Sequence, residues 1–395
     1  MTTPDLVDRV RASLVAGVDG PGDSIADAVR EAMPWQSDDD VRAATDLARA
    51  ELIGAGPLEP LLADPAVTDV LVNGARSVWI DRGQGLERVD APFADDDAVR
   101  RLAVRLAAAA GRRLDPSSPF VDATLADGTR VHAALPPASR SGPCLSLRVL
   151  RRKGMQFTHL VAAGSMQPQV GEVIAAVLAA RLAFVVTGGT GSGKTTLLGA
   201  LLGLVDPAER LVVVEDSPEL APHHPHVLAM VTRPPNAEGA GEITLRDLVR
   251  QSLRMRPDRI VVGEVRGPEV VDLLAALNTG HDGGAATVHA NAPSELPARL
   301  EALASTAGLS RDALHSQVLA ALHAVIHVRR VNGTRFVSEI AVVDRNADDR
   351  AEVIAALTVA DATVKRGPGA TKLAHDLRNA GIEVPSVLVP TRARR

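Results

Sequence analysis

Residues 184–196 read FVVTGGTGSGKTT: an apolar, β-branched run, Phe184-Val185-Val186-Thr187, followed by Gly188-Gly189-Thr190-Gly191-Ser192-Gly193-Lys194-Thr195-Thr196. The apolar run predicts a buried strand and the residues from Thr195 to Leu204 predict a helix, so the glycines fall at a strand-to-helix turn. In that context a G-x-x-x-x-G-K-T spacing lets backbone N–H groups turn inward around phosphate oxygens, at the positive end of a helix. Lys194 would then reach the β- and γ-phosphates of ATP, and the Thr195 hydroxyl would take one position around Mg2+. Gly188 to Thr196 is the expected nucleotide-binding loop.

Outward from this loop, strands alternate with helices: Leu211–Val214, a helix Leu245–Met255, Ile260–Val262, a helix Glu269–Leu277 and Ala286–His289. The alternation predicts an α/β domain over 158–345, with a mostly parallel sheet covered on both faces. Two of the strands run into carboxylates, at the end where open α/β sheets bind ligands. One is Glu215, opening the acidic box Glu215-Asp216-Ser217-Pro218-Glu219; the other is Glu264, closing Arg259-Ile260-Val261-Val262-Gly263-Glu264. Glu264 is placed to polarise an attacking water and to hold the Mg2+ shell, with Glu215 assisting. A third segment, NTGHDGGAATVHAN at 278–291, sets His281 and His289 eight residues apart. Both imidazoles are expected on the same sheet edge as the loop, where a ring N–H can donate to the γ-phosphate; purely structural hydrogen bonding is the competing reading.

Upstream, residues 57–152 read as one α+β unit. Short strands Val67–Val72 and Ser77–Ile80 flank the turn Asn73-Gly74, a helix spans Asp95–Ala110, and a second hairpin joins Val121–Leu125 to Arg130–Leu135 through Asp127-Gly128. Residues 1–56 predict a helical, partly flexible extension, in which Ser37 and Asp38–Asp40 start a helix to Ile53. Residues 153–157 are the expected linker, with the basic run Arg151-Arg152-Lys153-Gly154 at its start. Nothing in 346–395 assigns itself, and its basic end, Pro390–Arg395, reads as solvated.

Composition narrows the classes. The chain has 395 residues, 46% hydrophobic, with five Phe, two Trp and no Tyr, so its cores must be aliphatic. The same shortage argues against modules that stack bases on aromatics and against a Trp/Tyr-belted membrane protein. A net charge of −5 gives no basic footprint for nucleic acid. The single Cys144 excludes an internal disulfide and a multi-thiolate zinc site. The acidic start MTTPDLVDRV lacks a signal-peptide core, and the longest apolar stretch, Val173–Ala180, is far short of the roughly 20 residues that span a bilayer. A cytoplasmic location is expected. With so few rings available, adenine is expected to rest on aliphatic side chains and arginine stems.

The loop, the acidic box, the strand ending in Glu264 and the histidine segment, in that order, resemble the traffic ATPases of type II and type IV secretion. The phrases GPLEPLLADPAVTDVLVNG and DGTRVHAALPP are similar to the CpaF-like branch that assembles tight-adherence (Tad, Flp) pili. The resemblance covers about 54–345. It implies a RecA-like ATPase core preceded by a smaller PAS-like α+β domain. It also implies a homo-hexameric ring at the inner face of the membrane, working on integral inner-membrane platform proteins with no nucleic acid partner. It further implies that arginines reach the nucleotide phosphates. The matching positions are Arg130 in DGTRVHAALPP, Arg148 in LSLRVL, and Arg254 and Arg256 in SLRMRPDRIVVGE, each open to reading as a solvated charge. The turn Gly283-Gly284-Ala285 departs from relatives that carry a hydroxyl residue there. A conjugation-associated or nucleic-acid-translocating RecA-like motor and a non-hydrolysing scaffold are the competing functions.

Overall fold

The computed structural model describes residues 3–16, 24–90, 93–149, 154–236 and 239–390. Arg151–Lys153 of the expected linker and the basic tail 391–395 lie outside the described residues. The chain forms two compact units, Met1–Arg151 and Arg152–Pro235 with Gly239–Arg395.

In the first unit, α1 (Thr3–Ala16), α2 (Ser24–Ala32) and α3 (Asp38–Leu52) bury Val10, Val29 and Ala48 against one another in a small core of their own. Ser37 caps α3 by accepting the Asp40 N–H, and Asp38, Asp39 and Asp40 fill its first turn. The loop between α2 and α3 leaves Trp35 93% exposed. A short α4 (Glu59–Ala63) leads into β1 (Asp69–Asn73), β2 (Val78–Asp81), β3 (Leu86–Val89), α5 (Asp96–Ala109), β4 (Phe120–Thr124), β5 (Arg130–Ala134) and β6 (Cys144–Arg148). The strands make one six-stranded antiparallel sheet in the order β3-β2-β1-β6-β5-β4. Alternate residues such as Val70, Val72, Val131 and Leu147 face a core completed by Val99, Leu102 and Leu106 of α5. Trp79 lies on β2, its indole N–H donating to the Ser77 hydroxyl at 3.0 Å. The helices before residue 57 belong to this unit: Arg105 of α5 donates to the Gly54 carbonyl at 2.9 Å.

The second unit opens with α6 (Phe157–Ala162) and α7 (Pro168–Ala179), then β7 (Phe184–Gly188), α8 (Lys194–Leu202), β8 (Leu211–Glu215), β9 (Val227–Val231), α9 (Leu245–Ser252), β10 (Arg259–Val265), α10 (Glu269–Leu277) and β11 (Ala285–His289). It continues through α11 (Leu296–Ser305), α12 (Arg311–Ala321), β12 (Ala324–Val331), β13 (Thr334–Arg345), β14 (Ala351–Ala360), β15 (Thr363–Arg366) and α13 (Ala370–Asn379). Nine strands form a mixed sheet, ordered β15-β14-β13-β12-β7-β11-β10-β8-β9. The stretch β12-β7-β11-β10-β8-β9 is parallel throughout, as the sequence predicts. The remainder is an antiparallel meander added at β12. Residues beyond 345, unassigned from the sequence, therefore extend the same sheet. Strand β7 is apolar without a break because both its faces are covered. Phe184 and Val186 enter a core with α7, α8 and α13, whereas Val185 enters a second core with α9 to α12.

Candidate functional site

The parallel register places the functional edge. His289, the last residue of β11, pairs with Gly188, the last residue of β7, and β10 and β8 end alongside in Glu264-Val265 and Glu215. The loop 188–195, Glu215, Glu264 and His289 therefore share one end of the sheet. Gly193 starts α8 with φ of +98°, in left-handed geometry that a side chain would strain. Lys194 is buried and folds back, its Nζ donating to the carbonyls of Gly188 at 3.1 Å and Gly189 at 3.2 Å. Burial pulls its ammonium below the ordinary lysine value, and the nearby Glu264 carboxylate opposes that pull. The Ser192 N–H closes a turn onto the Gly189 carbonyl at 3.3 Å, while its buried Oγ has no hydrogen-bond partner among the described residues.

The acidic side is built just as closely. Glu215 is buried; one oxygen accepts the N–H of Glu219 at 3.2 Å and of Leu220 at 2.9 Å, and the other, Oε2, has no hydrogen-bond partner among the described residues. Burial pushes this carboxyl up to about 7. Its stem lies against β10 where that strand carries Gly263, and a Cβ there would sit 2.6 Å from Glu215 Cγ. The glycine before Glu264 thus makes room for Glu215. Thr195 Oγ1 donates to Glu219 Oε2 at 3.5 Å. Glu264 accepts from both Nε, at 2.9 Å, and a terminal nitrogen of Arg266.

Three sequence candidates in the second unit, His281, Arg254 and Arg256, lie away from the loop. His281 precedes β11, and its Nδ1 bonds the Ala276 carbonyl at 3.2 Å at the end of α10. Arg254 and Arg256 precede β10, where Arg254 donates to the Arg250 carbonyl. These three sit at the sheet edge opposite the loop, because a five-residue parallel strand carries the chain about 13 Å from edge to edge. The eight-residue spacing of His281 and His289 therefore spans a strand instead of pairing them, and His281 is held at the end of α10. The Gly283-Gly284 turn at that edge is tightly packed: a Cβ on Gly284 would lie 2.4 Å from Leu277. Arg130 and Arg148 lie in the first unit, directly opposite each other on β5 and β6.

Other residues at the loop were not read from the sequence. Arg266 follows Glu264 by two positions, a proximity that was its only signal. His327 of β12 is buried beside β7, its Nδ1 2.9 Å from Thr187 Oγ1, and burial with the charge of Arg329 lowers its pKa. From β13, Arg335 Nε donates to the Gly191 carbonyl at 3.0 Å.

The oxygen donors here suit a small hard cation. Thr195, Glu264 and the unpartnered buried oxygen of Glu215 gather at the loop. Among the described residues, no three His, Cys, Asp or Glu side chains make a self-sufficient metal cage. No helix of the described residues is long and apolar enough to cross a membrane.

The α/β architecture and this sheet edge can be compared with known proteins. The profile of the type II/IV secretion system protein family matches residues 51–374. A Mycobacterium tuberculosis (strain H37Rv) protein named for conjugal transfer is 56% identical over 324 residues, 80% of this chain and 92% of that protein. Conjugal transfer protein TrbB of Rhizobium radiobacter is 30% identical over 285 residues, 71% of this chain and 84% of its own length. Among solved structures, the pilus retraction motor PilT with bound ADP has a TM-score of 0.51 at 18% identity, covering 72% of this chain and 80% of that one; the likeness bears on fold alone. The chain belongs to the type II/IV secretion system protein family.

Proposed function

We propose that this chain is an ATP-hydrolysing motor of a secretion or pilus-assembly system, with a RecA-like second unit and a PAS-like sheet in the first. The observation that carries the reading is the meeting of loop 188–195, Glu215 and Glu264 at one sheet edge. In this reading Lys194 leaves the Gly188 and Gly189 carbonyls to bind phosphate oxygens, and the freed loop amides complete the cradle. Mg2+, held by Thr195 with Glu264 beside it, would neutralise charge on the β- and γ-phosphates. Glu264, released from Arg266, takes a proton from the attacking water. Glu215 holds the acidic loop through the Glu219 and Leu220 amides and keeps the floor of the site dry.

The motor reading extends to a homo-hexameric ring at the cytoplasmic face of the inner membrane, acting on integral platform proteins of a Tad/Flp-type pilus. Supporting it are the CpaF-like phrases of the first unit and the family membership. A second reading, a conjugation-associated motor, is favoured by the two relatives named for conjugal transfer. The net charge of −5 speaks against direct handling of nucleic acid in either case.

Steady-state hydrolysis with parallel nucleotide-binding titrations tests the chemistry. Glu264→Gln is expected to bind ATP and to hydrolyse it at least about 100-fold more slowly; hydrolysis at the wild-type rate would remove Glu264 as the base. Complementing a deletion strain with Lys194→Ala, scored for surface pili and for DNA transfer, separates the two cellular readings. Loss of pili alone supports assembly, and loss of transfer alone supports conjugation.

A further inference from the structure

Strands β12 and β13 are joined by Asn332-Gly333, both with positive φ, the two-residue turn that matches the twist of a hairpin. A two-residue turn leaves no freedom of register. Val331 must face Thr334, and Arg330 must face Arg335, as the ladder shows. Two arginines directly opposite on one face repel each other, an arrangement strands ordinarily avoid. Both reach the same place. Arg335 Nε donates to the Gly191 carbonyl at 3.0 Å, and its Cδ lies 3.1 Å from where a Cβ on Gly193 would stand. Arg330 brings a terminal nitrogen to 3.9 Å from the corresponding Cβ position of Gly191.

The peptide between Gly191 and Ser192 is planar and trans, so fixing its carbonyl on one side fixes the Ser192 N–H on the other. That N–H points into the loop, toward Gly189. Arg335 therefore sets the direction of one of the amides that would cradle a phosphate, and its stem covers the glycine that starts α8.

We propose that Arg330 and Arg335 form an arginine clamp on the nucleotide loop, supplied by the same chain, whose ligand is the polyphosphate of the bound nucleotide. Arg335 positions the loop amide through Gly191, and Arg330 brings a second guanidinium to the same loop. The inference rests on the nucleotide-binding reading of 188–195.

The test is equilibrium binding of a fluorescent ATP analogue and of inorganic tripolyphosphate to the full-length protein. The variants are Lys194→Ala, Arg330→Gln, Arg335→Ala and Arg335→Lys, with thermal unfolding of each recorded without ligand. Arg330→Gln and Arg335→Ala are expected to weaken both ligands about tenfold, as for loss of one charge-assisted hydrogen bond. The ligand-free melting temperature should not fall below the wild-type value, since losing either charge relieves the repulsion between them. Arg335→Lys, which can still donate to Gly191, should recover part of the loss, and KM should rise with kcat within about twofold. Wild-type affinity in Arg330→Gln and Arg335→Ala, with binding abolished in Lys194→Ala, would overturn the clamp and leave the nucleotide site standing. Unchanged binding in Lys194→Ala would overturn the site itself. A loss of affinity for the analogue but not for tripolyphosphate would place the arginines on the base, against the proposal.

Discussion

Glu215 ends an apolar strand, accepts from two amides with one oxygen and leaves the other buried without a hydrogen-bond partner among the described residues. Burial, with the charges of Glu219 and Asp216 adding to it, raises this carboxyl from an ordinary value of 4.5 to about 7. Between those values the native state holds a proton that the unfolded state has released. Its contribution to stability is complete below the lower value and is lost as pH rises through the upper one. In nucleotide-free protein, wild type should therefore lose stability relative to Glu215→Gln between pH 5 and 8, by on the order of 2–3 kcal/mol. Denaturant unfolding at several pH values checks this, and a pH-independent difference would mean that Glu215 ionises normally. At this scale the sequence spoke clearly wherever adjacency carried the signal. The run 188–196, Glu215 at the end of Leu211–Val214 and Glu264 at the end of Ile260–Val262 are each defined by their immediate neighbours. Arg330 and Arg335 were not read from the sequence, and the turn Asn332-Gly333, which fixes their register, was the one local signal that pairs them. His281 misled because a spacing in the chain says nothing about sheet edge until the strand between is counted.

Among elements, the contact of β8 with β10 turns on one missing side chain. Gly263 lets Glu215 lie flat against β10, so Gly263→Ala forces either the strand or the carboxylate to move. Overpacking of this kind costs about 1–3 kcal/mol. The cost should shrink in a Glu215→Ala background, because the group that clashes is gone, and a double-mutant cycle by denaturant unfolding measures the coupling. Additive effects would show that the two residues do not share the space. The parallel strands could be read ahead of the structure because burial on both faces makes them continuous apolar runs. The edge strand β9 and strand β14 also carry apolar runs, Val227–Val231 and Val353–Leu357, yet neither was read as a strand; both are partly exposed, and β15, Thr363–Arg366, is mostly polar.

For the whole molecule, the two units hold separate cores, each with its own set of buried residues. The nucleotide loop lies in the second alone. Calorimetry is expected to show a transition that rises with added Mg-ATP analogue, by about 2.7 kcal/mol of stabilisation at a ligand concentration 100 times Kd. Lys194→Ala should abolish the rise; an unchanged rise would place the nucleotide elsewhere. The optical properties of the chain divide the same way. Trp35, on an open loop, and Trp79, on β2, are the protein's two tryptophans; both belong to the first unit, and there is no tyrosine. Intrinsic fluorescence therefore watches one half of the molecule while the half that carries the loop 188–195 stays dark. A denaturation curve followed by emission will trace the first unit, and one followed by far-ultraviolet dichroism will trace both. The gap between the two curves is a direct reading of how far the units unfold together.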